Sequence, residues 1–201
     1  MLEWIDVVSA LGQRVLGAMA VGLGLDREWF ARNLTADPII LFRIFHYPPL
    51  AASAPPGATQ SMSVQQHTDY GLLTLLVQDD RGGLEVRRGD EWIAVPAEPD
   101  VIVCNIGDML DRMTGGRYRS TPHRVRNLSA HDRISFPLFL DPSWDAQIAP
   151  LPLEGPAPDD DASTRWDGTS VHNLSGTYGE YLVGKVAKVF PDLGTTVLPT
   201  G

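Results

Sequence analysis

Between Ile39 and Leu140 the chain is cut into short apolar runs of β-favouring residues, each closed by glycine, proline or aspartate, and this punctuation leaves few folds open. The runs fall at residues 39–45, 62–66, 72–78, 84–87, 91–95, 101–106 and 133–140. His46-Tyr47-Pro48-Pro49 ends the first, a Pro-, Ala-, Ser- and Gly-rich stretch at 48–61 reads as loop, and Arg81-Gly82-Gly83 and Gly89-Asp90 supply turns further on. Helices fall mostly outside the runs, with Gly107-Asp108 opening a short helical turn through Met113. Strands this closely spaced argue against βαβ repeats and for a β-sandwich or barrel. The expected fold is mainly β with flanking helices around a jelly-roll core.

The flanks read differently. Residues 2–23 carry Trp4, Val8, Leu11, Val15, Met19 and Leu23 at helical spacing, and Asp26 can cap a second, short helix with Leu25 and Phe30 as a hydrophobic staple. Beyond 140 comes loop at 150–168, holding Pro156, Pro158 and the solvated run Asp159-Asp160-Asp161, and then a helix from Tyr178 to Phe190. The resulting division is 1–37 for supporting helices, 38–142 for the jelly-roll core and 143–201 for a loop and helix packed on it.

With 25 acids against 16 bases the chain carries a formal charge of −9. A sequence-independent hold on nucleic acid or anionic membrane is therefore not expected, and small molecules are the expected partners. The single cysteine, Cys104, excludes an internal disulfide and a Cys-rich zinc site, and its place in Val101-Ile102-Val103-Cys104 predicts a buried small hydrophobe. Glu3, Asp6, Gln13 and Arg14 interrupt the first apolar region with no basic segment before it, which predicts neither a signal peptide nor a membrane span. The expectation is a soluble, cytoplasmic monomer.

The chemistry concentrates in Gln66-His67-Thr68-Asp69-Tyr70-Gly71. In extended chain, residues two apart point the same way, so His67 and Asp69 can face one ion. A third ligand must come from elsewhere, and His123 in Ser120-Thr121-Pro122-His123-Arg124-Val125 is the best placed. Two histidines and a carboxylate form the facial set that suits non-haem Fe(II) and leaves coordination positions open. Ten residues later Arg133 and Ser135 alternate onto one face, where a guanidinium and a hydroxyl can meet one carboxylate. Taken singly, each motif has a bland reading, a turn-capping histidine with a surface acid or a solvated strand edge.

Together the motifs form an ordered series. His67-Thr68-Asp69-Tyr70-Gly71, Leu73-Thr74-Leu75-Leu76, Gly83-Leu84-Glu85-Val86, Trp92, Asn105-Ile106-Gly107-Asp108, Ser120-x-x-His123-Arg124-Val125 and Arg133-x-Ser135 resemble the isopenicillin N synthase-like branch of the Fe(II)/2-oxoglutarate-dependent dioxygenases. The resemblance implies a double-stranded β-helix with His67, Asp69 and His123 as iron ligands. It implies Arg133 and Ser135, with Tyr47, as the seat for the far carboxylate of 2-oxoglutarate, Leu76 lining that pocket, and Asn105 and Asp108 as structural parts of the adjoining corner. It further implies oxidation of a small molecule by dioxygen, as hydroxylation, desaturation or cyclisation, with 2-oxoglutarate converted to succinate and carbon dioxide. Two alternatives remain: an iron oxidase that uses no 2-oxoglutarate, like isopenicillin N synthase, and a truncated fold that binds metal or ligand without turnover.

The sequence also departs from the branch. Phe45 stands two residues before Tyr47 where plant members usually carry Asn, and the ending Arg165-Trp166-Asp167-Gly168-Thr169-Ser170-Val171-His172 is of a bacterial type. Members usually have roughly a hundred further residues, a domain's worth, before the first helix seen here, which predicts an exposed apolar face on residues 2–23 or the adjacent sheet edge. Of the remaining histidines, His131 is expected to face solvent, His172 to pack near the C-terminal loop and His46 to lie outside the ligand set. Trp92 and Trp144 are expected as core or rim aromatics.

Overall fold

The computed structural model describes residues 1–49, 64–127, 129–156 and 174–189, together with 158, 160, 162–164, 168 and 170. The loop expected at 50–63, Asp159, Asp161, most of the Arg165–His172 ending and Phe190 lie outside the described residues.

Nine strands are present among the described residues, all paired antiparallel in two sheets. They are β1 (Ile39–Phe42), β2 (Phe45–Tyr47), β3 (Val64–His67), β4 (Leu73–Gln78), β5 (Leu84–Arg88), β6 (Glu91–Ala94), β7 (Val103–Ile106), β8 (His123–Val125) and β9 (Arg133–Asp141). The larger sheet runs β1-β9-β4-β7, with β2 also on β9, and the smaller runs β3-β8-β5-β6. The chain thus crosses repeatedly between sheets, as a jelly roll requires.

Two strands differ from the sequence expectation. The run 39–45 is broken after Phe42, and the cause is Pro137 on the facing strand. The Pro137 carbonyl accepts from the Arg43 amide at 3.0 Å, so its imide nitrogen faces the same side with no proton to give. The ladder lapses there and resumes at Phe45↔Ser135. The other difference is β8, absent from the predicted runs because it is three residues long and follows Pro122.

Helix α1 (Leu2–Gly22) lies across β4 and β9. Its buried seam is Val8, Gly12, Leu16 and Ala20, with the predicted Leu11, Val15 and Met19 on its flank and Trp4 partly exposed. The rotation follows from Gly12: a Cβ there would meet side-chain carbons of Leu75 and Leu140 at 2.9 and 2.7 Å, so the helix settles closest to the sheet at a residue with no side chain. The outer face carries Leu2 at 78%, Val7 at 60% and Val21 at 53% exposure, and Leu41, Ile44 and Ile134 are exposed near the β1–β2 edge, which is the apolar surface the sequence predicts. By length and composition α1 could also cross a membrane, so Glu3, Asp6 and Arg14 do not by themselves exclude a span. In this structure its seam is committed to the sheet.

Helix α2 (Trp29–Asn33) follows a turn in which Asp26 accepts from the Glu28 amide, α3 (Asp108–Met113) follows β7, and α4 (Tyr178–Val189) closes the described chain. Trp144 is a rim aromatic, half exposed and stacked where a Gly179 side chain would stand. Cys104 is exposed, contrary to expectation: it sits on β7, the edge of the larger sheet.

Alternation divides the larger sheet between two jobs. Leu73, Leu75, Leu138 and Leu140 face the helices, where they join Leu16, Phe30, Met109, Leu110 and Tyr178 in the main core. Leu76 instead faces the space between sheets, in a small cluster with Tyr47, Leu84 and Val125. The stability core therefore lies outside the jelly roll, and the interior is left for polar side chains. Both faces of Leu73-Thr74-Leu75-Leu76 are accordingly covered, and all four residues are buried.

Candidate metal centre

The two histidines are brought together by strand pairing. His67 ends β3 and stands directly across from His123, which opens β8, and their rings approach to 4.2 Å between centroids. Asp69 lies beyond the end of β3, so the set assembles across a strand pair and a loop instead of along one extended segment. The loop is pinned by the start of α3. Gly107 donates to the Leu72 carbonyl at 2.9 Å, Asp108 to Asp69 at 2.7 Å, and Met109 to both Tyr70 and Gly71 at 3.1 Å.

Glycine is required where this loop meets the sheet. A Cβ on Gly71 would coincide with the Asp141 carboxylate, and one on Gly107 would strike the Gly71 carbonyl. Gly71→Ala is therefore expected to destabilise the fold by about 2 kcal/mol, in the range for forced overpacking. Thermal unfolding checks this, and a midpoint equal to that of the parent would mean that the loop tolerates the methyl group.

Both imidazoles are oriented by backbone carbonyls. His67 Nδ1 donates to the Gln65 carbonyl at 2.8 Å and His123 Nδ1 to the Thr121 carbonyl at 3.2 Å. A carbonyl can only accept, so these contacts fix the proton on Nδ1 and turn the Nε2 lone pairs inward. His67 Nε2 lies 3.9 Å from Asp69 Oδ1 and His123 Nε2 lies 3.7 Å from Asp69 Oδ2. Two donors on one ion at roughly 2.1 Å stand at most about 4.2 Å apart, a limit that both distances meet. One donor atom from each residue falls within 4.8 Å of the other two. Burial, and secondly the neighbouring His123, holds the His67 imidazole below its ordinary pKa, which favours the neutral form a metal needs.

Asp69 is 7% exposed, and its Oδ2 is buried without a hydrogen-bond donor among the described residues. A bare buried carboxylate oxygen is costly, and a cation between the three side chains would satisfy it. The donor set fits a divalent ion with affinity for imidazole and carboxylate, iron(II) among them.

A second cluster occupies the same interior. Arg133 is fully buried, with the Tyr47 ring 4.8 Å from its guanidinium carbon and Ser135 Oγ 3.4 Å from the Tyr47 hydroxyl. Register explains the grouping, because Tyr47 pairs with Arg133 across β2 and β9 while Ser135 follows on the same face. Arg133 Nη1 is buried without an acceptor among the described residues. Burial lowers the guanidinium's pKa, with Tyr47 and Asp79 acting in opposition.

Sequence reasoning missed the layer beneath the loop. Asp141 Oδ2 accepts from the Tyr178 hydroxyl at 2.6 Å, and burial pushes its carboxyl up to about 6 despite that bond, with Asp69 adding to the rise. Burial, then Asp141, also raises the Tyr178 hydroxyl. Asn127 ties the Tyr47, Pro48 and His131 carbonyls together at 2.9–3.0 Å. Lys185 of α4 reaches Asp108 at 3.4 Å and lies 5.4 Å from the Tyr70 ring beside the metal set. None of these has a local motif, since each depends on a partner far along the chain. His46 and His131 are exposed, the former paired with Asp132 at 2.9 Å, and neither joins the set. Trp92 stacks under Arg124 at 4.0 Å. His172 lies outside the described residues.

The Asp141 shift gives a pH prediction for the metal-free protein. A carboxyl whose folded pKa is raised from 3.8 to about 6 favours the fold when protonated, so stability is full below the unfolded value and falls as pH rises to about 6. The loss is about 3 kcal/mol at 1.36 kcal/mol per unit. Asp141→Asn removes the titration and keeps an acceptor for Tyr178, so its advantage over the parent should grow between pH 4 and about 6. Denaturant midpoints that track each other at every pH would contradict the assignment.

The model of the 2OG-Fe(II) oxygenase superfamily matches residues 38–142. The chain belongs to that superfamily. Among similar 2OG oxygenases and related enzymes, a probable iron/ascorbate oxidoreductase of Dictyostelium discoideum is 47% identical, covering 98% of this chain and 58% of its own length. A 1-aminocyclopropane-1-carboxylate oxidase of Dictyostelium mucoroides is 38% identical, over 94% of this chain and 59% of its own. A full-length Neurospora crassa protein, solved in complex with alpha-KG and thymine, superposes with a TM-score of 0.78 at 28% identity, over 93% of this chain and 55% of that one. The chain thus spans somewhat more than half the length of these relatives. Their shared fold is the double-stranded β-helix described above.

Proposed function

We propose that His67, Asp69 and His123 bind Fe(II), that Arg133, Ser135 and Tyr47 hold the far carboxylate of 2-oxoglutarate, and that the protein oxidises a C–H bond of a small molecule. One observation carries the reading. Two buried charged groups in one interior, Asp69 and Arg133, each present an atom with no hydrogen-bond partner among the described residues, Oδ2 and Nη1. Their signs match a cation and an anion. Superfamily membership supports reading that pair as iron and 2-oxoglutarate.

Bound together, Fe(II) and 2-oxoglutarate supply the capacity to activate dioxygen for C–H oxidation, with 2-oxoglutarate leaving as succinate and carbon dioxide. The protein's part is positional. Gln65 and Thr121 carbonyls keep each Nε2 lone pair aimed inward, the α3 amides hold the loop that carries Asp69, and Leu76, Leu84 and Val125 give the interior an apolar lining. One carboxylate and two neutral imidazoles leave a divalent ion with net positive charge, which a chelating oxo acid offsets. Dioxygen and a small substrate complete the proposed partners, and the single cysteine, Cys104, favours a reducing, cytoplasmic setting.

The similarity to a 1-aminocyclopropane-1-carboxylate oxidase supports a second reading, in which Arg133 and Ser135 hold a substrate carboxylate directly. Succinate release from 2-oxoglutarate in the presence of Fe(II) and ascorbate separates the two. The first reading expects stoichiometric succinate, whereas iron-dependent substrate oxidation indifferent to 2-oxoglutarate selects the second.

A further inference from the structure

We propose that Gln78 is a positioning residue that sets the orientation of the Arg133 guanidinium, and through it the preference for an oxo acid with a second carboxylate. This deepens the 2-oxoglutarate reading and rests on it.

Register brings Gln78 to the seat. On β4 it stands directly across from Ser135 on β9, so the two side chains share the face that also carries Arg133 and Tyr47. Its amide bridges two partners: Oε1 accepts from Arg133 Nη2 at 3.0 Å, while Nε2 donates toward the Pro96 carbonyl at 3.5 Å. The second contact fixes which end of the amide faces the arginine, because a carbonyl takes only the NH2 end.

Two further contacts hold the guanidinium. Nε donates to the Gly82 carbonyl, and the Tyr47 ring lies against the guanidinium face. Asp79, the nearby acid, accepts from the Ile134 amide, while its own amide donates to the Ile134 carbonyl at 3.1 Å. The two acceptors that bind Arg133 are therefore neutral oxygens. They hold the fork without cancelling its charge, and they leave Nη1 buried and without a partner among the described residues, on the face that also carries Ser135 and Tyr47. A carboxylate in place of the Gln78 amide would reach the same Nη2 and neutralise the cation before any ligand arrived.

The consequence is selective. Gln78 acts on a ligand only through the carboxylate that Arg133 receives, so its loss should be felt by 2-oxoglutarate and not by an oxo acid lacking that group. The test is anaerobic calorimetry on the Mn(II)-loaded protein, titrated with 2-oxoglutarate and with 2-oxopentanoate, which has the same chain length and no far carboxylate. Gln78→Met should weaken 2-oxoglutarate binding by about 10- to 100-fold, the range for outer groups that orient a ligand-binding side chain, and leave 2-oxopentanoate unchanged. Gln78→Glu should weaken it further. Equal weakening of both acids by Q78M, or 2-oxoglutarate binding at the parent value, overturns the inference. Arg133→Met run alongside separates this from the underlying assignment. If R133M loses the preference for 2-oxoglutarate while Q78M keeps it, only the role of Gln78 fails, and if R133M also keeps it, the seat itself is misassigned.

Discussion

Replacing Asp69 by Ala is expected to abolish stoichiometric iron binding and to lower turnover by at least about a thousandfold, because the change removes the one anionic donor of a three-residue set. The histidines cannot compensate. Without Asp69 the two Nε2 atoms still face inward from the Gln65 and Thr121 contacts, but neutral imidazoles alone give a divalent ion no charge partner. Apo stability should move the other way, or not at all, since Asp69 Oδ2 is a buried oxygen with no hydrogen bond among the described residues and its removal relieves that cost. Metal content after anaerobic loading, set beside the unfolding midpoint of the metal-free protein, reads both. A variant that binds one equivalent of iron as tightly as the parent would remove Asp69 from the ligand set.

The second large effect belongs to Arg133. Truncating one partner of a buried charge pair costs about 2–5 kcal/mol, roughly thirty- to several-thousand-fold at 1.4 kcal/mol per tenfold. Arg133→Leu should therefore raise KM for 2-oxoglutarate by about that factor, with kcat at saturation falling less, because the lost contact is made in the bound ground state as well as later. Iron binding should persist. Folding also bears on the outcome, since Arg133 is fully buried and its Nε and Nη2 serve Gly82 and Gln78. For that reason circular dichroism and metal stoichiometry accompany the kinetics, and an unchanged KM in a folded, iron-loaded variant would contradict the seat.

Much of this was readable in the sequence wherever chemistry is local. Alternation and turn residues announce most of the strands, and the ordered series from His67 to Ser135 points to the same interior that the sheets enclose. What escaped depends on partners remote in the chain. The break at Arg43 is caused by a proline on β9, and the buried seam of α1 runs through Gly12, which a count of bulky residues overlooks. Cys104 lies in an apolar run yet is exposed, because edge position is a property of the sheet and not of the segment. Strand β8 was too short to show a period, although its first residue, His123, was legible as a candidate ligand. The Asp141–Tyr178 pair and the hold of Gln78 on Arg133 join residues 37 and 55 positions apart, and only the tertiary fold brings them together.

The location of the metal is tested most directly by anomalous diffraction at the iron edge, on crystals grown with Fe(II) in the absence of oxygen. A single peak is expected within bonding distance of His67 Nε2, His123 Nε2 and an Asp69 oxygen. A peak elsewhere, or a loaded crystal with no density between these three side chains, would contradict it.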